Sequence, residues 1–86
     1  MRVRFAKPFV KQLARLPRST QATALARIDL MLAHPDDPLL RRHRLQGRLR
    51  HLWSIDITGD VRALYELVGD ETVVYQLIGS HFELYG

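Results

Sequence analysis

Leu49-Arg-His-Leu-Trp-Ser-Ile-Asp-Ile57, Thr58-Gly-Asp60 and Val61-Arg-Ala-Leu-Tyr-Glu-Leu-Val68 follow one another without a break. In the first run the odd positions are Leu49, His51, Trp53, Ile55 and Ile57, against Arg50, Leu52, Ser54 and Asp56 at the even ones. That period of two predicts a strand with one face turned to a core. Thr58-Gly-Asp60 is a tight turn, so Val61–Val68 pairs back antiparallel. Gly69-Asp70 makes a second turn, and Thr72–Ile78 is a third strand whose apolar density on both faces predicts an interior place in the sheet. Carried across the strands, parity puts Ser54, Asp56, Arg62, Glu66, Thr72 and Gln76 on one face. Trp53, Ile55, Ala63, Tyr65, Val73 and Leu77 fall on the other.

Working outward, Arg2–Phe5 alternates polar and apolar as a short strand, with Val3 and Phe5 inward. Pro8 suits a first helical turn. Phe9, Leu13 and Leu16 then form one helical stripe that Pro17 ends. Ser19 or Thr20 is the candidate cap of a second helix with the stripe Leu25, Ile28 and Leu32, flanked by Ala24 and Met31. His34-Pro-Asp-Asp-Pro38 stops it. Residues 7–34 therefore read as a helical hairpin. The expected fold is a single α+β domain over 1–86 in the order β-α-α-β-β-β: a curved antiparallel sheet with the helical hairpin packed on one face. The apolar face meets the helices. The polar face, rimmed by Arg44, Arg48 and Arg50, is left for binding.

The 86 residues are 47% hydrophobic and 26% charged, ordinary for a folded protein. With no cysteine, a disulfide framework and a thiolate metal site are excluded, and a reducing cytoplasm is the expected location. Met1–Phe5 reads as a strand rather than the apolar run of a signal peptide, and no segment approaches a membrane span. Charge is unevenly placed. Residues 1–50 hold twelve of the thirteen Lys/Arg and three of the nine acids, a net +9, and the remainder is −5. Arg41, Arg42, Arg44, Arg48 and Arg50 occur with no acid among them. Such a lobe predicts a polyanionic partner, RNA or DNA, or an acidic protein covering the same surface; a merely solvated basic face is the plain alternative.

The candidate chemistry lies in the same half. His34 at a helix end reads as a cap or surface residue, and His51 on the inward face as structural. His43, in the basic loop, and His81, after the Gly79-Ser80 bend, sit where functional side chains are presented. RNA cleavage needs a base for the 2′-hydroxyl, donors for the charged phosphorane and an acid for the departing 5′-oxygen. Histidine fits both proton roles and arginine the phosphate. Tyr85 and Tyr65 offer rings or hydroxyls, although Tyr65 points to the core by parity. Asp60 orients a histidine or caps its turn. No Gly-rich phosphate loop, Cys/His pair or zinc-binding HExxH occurs, and the spacing of His43, Asp60 and His81 carries no metal signature. No cofactor and no metal are expected.

Three motifs, His43-x-Leu-Gln-Gly47, Asp60-x-Arg-x-x-Tyr65 and Ile78-Gly-Ser-His-x-x-Leu-Tyr-Gly86, together with the element order, resemble the RelE superfamily of bacterial toxin–antitoxin toxins, in its YafQ-like branch. The resemblance runs the length of the chain. It implies a ribosome-dependent endoribonuclease that cuts mRNA in the A site without a metal. It also implies silencing by a cognate antitoxin, with operator DNA bound only by the toxin–antitoxin complex. His43, Asp60, His81 and Tyr85 match the YafQ-like pattern, with Tyr85 replacing a phenylalanine also common there. Asp56 stands where that branch often has a histidine, and Val61 where an aromatic follows the aspartate. Arg62 matches the phosphate-contacting arginine of the wider RelE pattern. The implied assignment is His81 as acid, His43 or Asp60 as base or orienter, Arg62 with Arg48 on the phosphate, and Tyr85 on the substrate.

Two readings compete within the same fold. A ParE-like toxin poisons gyrase and lacks the histidines and arginine of an RNA-cleaving site. A catalytically inactive toxin-fold protein would act only with its antitoxin on operator DNA, and Asp56 leaves room for it. A plain RNA-binding module is disfavoured because no RNP-like aromatic pair lies on the inner strands.

Overall fold

A computed structural model describes residues 1–85; Gly86, which closes the last motif, lies outside the described residues. The chain runs β1 (Arg2–Phe5), α1 (Lys7–Ala14), α2 (Arg18–Ala33), β2 (His43–Arg44), β3 (Trp53–Asp56), β4 (Val61–Val68), β5 (Thr72–Ser80) and α3 (His81–Tyr85), with 3₁₀ turns at Pro38–Leu40 and Gly47–Leu49. The sheet order is β1-β5-β4-β3-β2. This is the α+β arrangement read from the sequence, with β5 inside the sheet as its apolar density required.

Two features of the sheet differ from expectation. It is mixed, because β1 lies parallel to β5, with Phe5 opposite Tyr75. The tight turns fix β3, β4 and β5 as antiparallel neighbours, but no local turn ties β1 to its partner some seventy positions away, so periodicity cannot give its direction. The sheet also gains β2, a two-residue edge strand pairing His43 with Ser54 and Arg44 with Trp53. Residues Leu49–Leu52, expected to extend β3, instead form a 3₁₀ turn and its exit. His51 is consequently exposed and is not a core residue.

A register shift between Leu64 and Tyr65 breaks the simple parity of β5. Leu64 opposes Leu77 while Tyr65 opposes Tyr75, so Gln76 is the extra residue of a bulge. Leu77 therefore shares the face of Asp56 and Arg62 rather than that of Val73, and Ile78 turns inward in its place. Gly69 closes the β4–β5 turn at φ +63°, a conformation that costs a residue with a Cβ.

The helices cover one face. Phe9, Ala24, Ile28, Met31 and Leu40 pack on Ile55, Ala63, Tyr65, Val73, Tyr75 and Ile78. Burying each large side chain contributes roughly 1.5–3 kcal/mol. On α2 the buried stripe is Ala24, Ile28 and Met31, while Leu25 and Leu32, expected inside, are half-exposed. Ser19 and Thr20 lie within α2, whose N-cap is Pro17 without a side-chain cap. An aromatic row crosses this face: Phe5 stacks on Phe9 (5.4 Å), Phe9 meets Tyr75 (5.5 Å), Tyr75 meets Tyr65 (5.5 Å), and Tyr65 stacks on Trp53 (6.4 Å). Arg42 ends the row, its guanidinium carbon 5.0 Å from the Trp53 ring centre.

Candidate functional site

On the opposite face, β2, β3, β4 and α3 enclose a hollow of about 350 Å³ lined by Arg41, His43, Leu45, Ser54, Asp56, Arg62, His81 and Tyr85. Cross-strand pairing builds its floor: His43 opposes Ser54 and Asp56 opposes Arg62, so all four side chains leave the sheet on the same side. Ser54 is fully buried, and its hydroxyl has no hydrogen-bond partner among the described residues.

Asp56 and Arg62 form a tight ion pair, Nε to Oδ1 2.9 Å, with both side chains about five-sixths buried. Arg62 Nη1 also donates to the carbonyls of Thr58 (3.0 Å), Gly59 (3.2 Å) and Val61 (3.2 Å), and Nη2 to Gly59 (3.2 Å). This guanidinium thus ties the β3–β4 turn to the floor. The second Asp56 oxygen lies 3.7 Å from Arg41 Nε, whose side chain is 76% exposed.

His43 sits in β2, not in a loop. Its Nδ1 is 3.0 Å from the Arg41 carbonyl. A carbonyl only accepts, so Nδ1 carries the hydrogen and Nε2 of the neutral ring is left with its lone pair. His81 opens α3, where its backbone N–H donates to the Asp60 carbonyl (3.0 Å) and its ring meets Tyr85 at 4.6 Å. The four-residue spacing puts those two rings on one face of α3. Ser80 and Glu83 seat that helix reciprocally: Glu83 N–H donates to Ser80 Oγ (3.1 Å) and Ser80 N–H to Glu83 Oε1 (2.9 Å). The Ser80 backbone bond, with its hydroxyl, holds the Glu83 carboxyl below the usual carboxylate range. This is a capping box, and Ser80-x-x-Glu83 in the sequence is its signal, which the motif reading passed over.

Of the five expected catalytic residues, the hollow collects His43, Arg62, His81 and Tyr85. Asp60 is not among its lining residues; it takes part through its backbone carbonyl. Of the basic run, only Arg41 reaches the hollow. Arg42 turns to the covered face, bonding Asp36 (3.0 Å) and the Pro35 carbonyl (3.1 Å). Arg44 opposes Trp53 and donates to the Arg50 carbonyl, Arg50 donates to the Gly47 carbonyl, and Arg48 stays exposed. The expected rim of Arg44, Arg48 and Arg50 therefore does not line the hollow. Asp56 and Ser54 do, and the even-position parity that put them on the polar face was the signal for both.

No family model matches the chain, and no curated protein matches it. Solved structures do. YafQ from E. coli superposes with a TM-score of 0.84 over 100% of both chains at 16% identity. A copper-bound mutant toxin from Helicobacter pylori matches at 0.74, covering 99% of each chain at 28% identity. RelE in the RelB–RelE antitoxin–toxin complex from Methanococcus jannaschii matches at 0.74, over 95% of this chain and 94% of that one, at 20% identity. The chain has the RelE/YafQ toxin fold. The resemblance carried by the three motifs is borne out at that level. Two of those motifs border the hollow of this RelE/YafQ fold, at His43 and at His81, and the third supplies Arg62 to its floor.

Proposed function

We propose that this protein is the toxin of a type II toxin–antitoxin pair and an endoribonuclease that cuts mRNA in the ribosomal A site without a metal. The observation that carries this reading is the convergence of His43, His81, Tyr85 and two arginines on one hollow of an open sheet face. His43 Nε2 is the base: it takes the 2′-hydroxyl proton as O2′ bonds to phosphorus. His81 is the acid: it protonates the 5′-oxygen as the P–O5′ bond breaks, leaving a 2′,3′-cyclic phosphate. A guanidinium holds the phosphorane charge. Tyr85, against His81, stacks on or donates to the substrate. Asp60, with its side chain outside the hollow, is not the base.

A hollow this small, with few proton-handling and cationic groups, gains from a template that presents the codon, which supports dependence on the ribosome. DinJ–YafQ and RelB–RelE are complexes of similar toxins with their antitoxins. They support a cognate antitoxin here. Operator DNA bound only through that complex and a cytoplasmic location belong to the same proposed reading. No helix among the described residues is long and apolar enough to cross a membrane.

The test is cleavage of a defined mRNA by purified protein with and without ribosomes. Cleavage is expected only with ribosomes, with cyclic or 3′-phosphate ends, and lost in His43→Ala and His81→Ala. Asp56 favours a second reading, since a carboxylate in the hollow opposes an incoming phosphate: a toxin-fold protein that binds without cutting. Intact mRNA in the presence of ribosomes would select it, and gyrase inhibition would select the ParE-like reading.

A further inference from the structure

Arg62, the arginine the family resemblance points to, has little left to offer a phosphate. A guanidinium has five N–H donors. Arg62 Nε lies 2.9 Å from Asp56 Oδ1 in their ion pair, three carbonyls surround Nη1, and Nη2 serves the Gly59 carbonyl. The Nε edge that remains is already faced by the Asp56 carboxylate, so a phosphate could take the two-pronged grip that makes arginine a strong ligand only by displacing it.

Arg41 is the opposite case. Its guanidinium makes no hydrogen bond to any described residue; only the 3.7 Å approach of Nε to Asp56 Oδ2 restrains it. Its backbone is the sole non-glycine position at positive φ among the described residues, at +44°. A left-handed conformation is strained for a residue with a Cβ, and arginine rarely adopts it. That geometry turns the Arg41 carbonyl onto His43 Nδ1 and the side chain over the hollow.

We propose that Arg41 is the residue that grips the scissile phosphate, that Asp56 is its resting counter-ion, and that Arg62 is a positioning residue holding Asp56 and the β3–β4 turn. An incoming phosphodiester competes with Asp56 for Arg41, which leaves the carboxylate it only loosely approaches. Asp56 stays paired with Arg62 and is not stranded. The same residue thereby couples phosphate capture to the orientation of His43. This rests on the endoribonuclease reading for its substrate, but it is tested by binding alone.

The experiment is titration of the intact protein with a 2′-deoxy trinucleotide, which cannot be cleaved through a 2′-hydroxyl. Arg41→Asn keeps the left-handed turn, because asparagine tolerates it, and removes the guanidinium. Its Kd is expected to rise about tenfold, as loss of a charge-assisted bidentate contact implies, with a shallower salt dependence. Asp56→Asn removes the competitor, and its Kd is expected to fall about threefold, the scale of one screened charge. Mere structural damage weakens binding in both variants, so opposite signs are the diagnostic. Equal affinities of wild type and Arg41→Asn, or weaker binding by Asp56→Asn, overturn the proposal. Failure of wild type to cut mRNA on ribosomes overturns the nuclease reading and leaves this binding result standing on its own.

Discussion

The two faces of the sheet use the same strands to opposite ends. Behind β3–β5, apolar residues meet two helices and an aromatic row. In front, Asp56 offsets only one of the two charges of Arg41 and Arg62 around a hollow whose floor includes a buried, unpartnered Ser54 hydroxyl. The covered face holds the fold by burial. The open face gives up some of that stability at Ser54 and Arg41, whose polar atoms lack close partners and are left for a ligand.

Substitutions on either side should separate these roles. His81→Ala is expected to cut the ribosome-dependent cleavage rate by about 10²–10⁴-fold, the usual worth of a positioned acid, with little change in Tm. Phe9→Ala, behind the sheet, should do the reverse: about 3–5 kcal/mol of stability lost in urea unfolding, from an aromatic that is fully buried. Comparable loss of stability in both variants would erase the division between the faces.

Arg62→Ala sharpens it. Because Arg62 ties the turn and its removal leaves Asp56 without its close partner, activity should fall together with about 1–3 kcal/mol of stability, seen by cleavage assay and denaturation on one sample. Ser54→Ala tests the cost of the open face directly. Removing a buried hydroxyl that has no partner should leave stability unchanged or raise it by about 1 kcal/mol.

The smallest effect concerns α3. The Glu83 carboxyl is held below its ordinary range, so its contribution is present above the unfolded value and is lost as pH falls through the folded one. As pH falls below the ordinary carboxylate range the Ser80 and Glu83 amide resonances should move together as the cap releases, while core methyl resonances stay in place. Glu83→Gln, which keeps an acceptor oxygen, should remove that pH dependence.

How much of this was legible follows from how local each cause is. Alternation from Trp53 to Ile57, the Thr58-Gly-Asp60 turn and the stripe from Phe9 gave three strands and the first helix, because those signals act over a few residues. The bulge at Gln76, invisible to parity, moved Leu77 to the open face. Leu25 and Leu32 look as apolar as Ile28, and only the position of the sheet decided that Ala24, Ile28 and Met31 face it. Among the site residues, His43, His81, Arg62 and Tyr85 came from motifs. The run from Arg41 to Arg50 gave five equal candidates, and alternation about β2 sent Arg42 to the far face.

By itself the sequence determined the α+β class, the antiparallel β3–β4–β5 meander and the histidines worth watching, since turn chemistry and side-chain period are properties of adjacent residues. Tertiary structure alone decided that β1 runs parallel to β5, that Asp60 lends only its carbonyl, and that Arg62 is committed while Arg41 is open. Which donors remain unspent depends on neighbours brought together from distant segments, and no local pattern in the chain encodes that count.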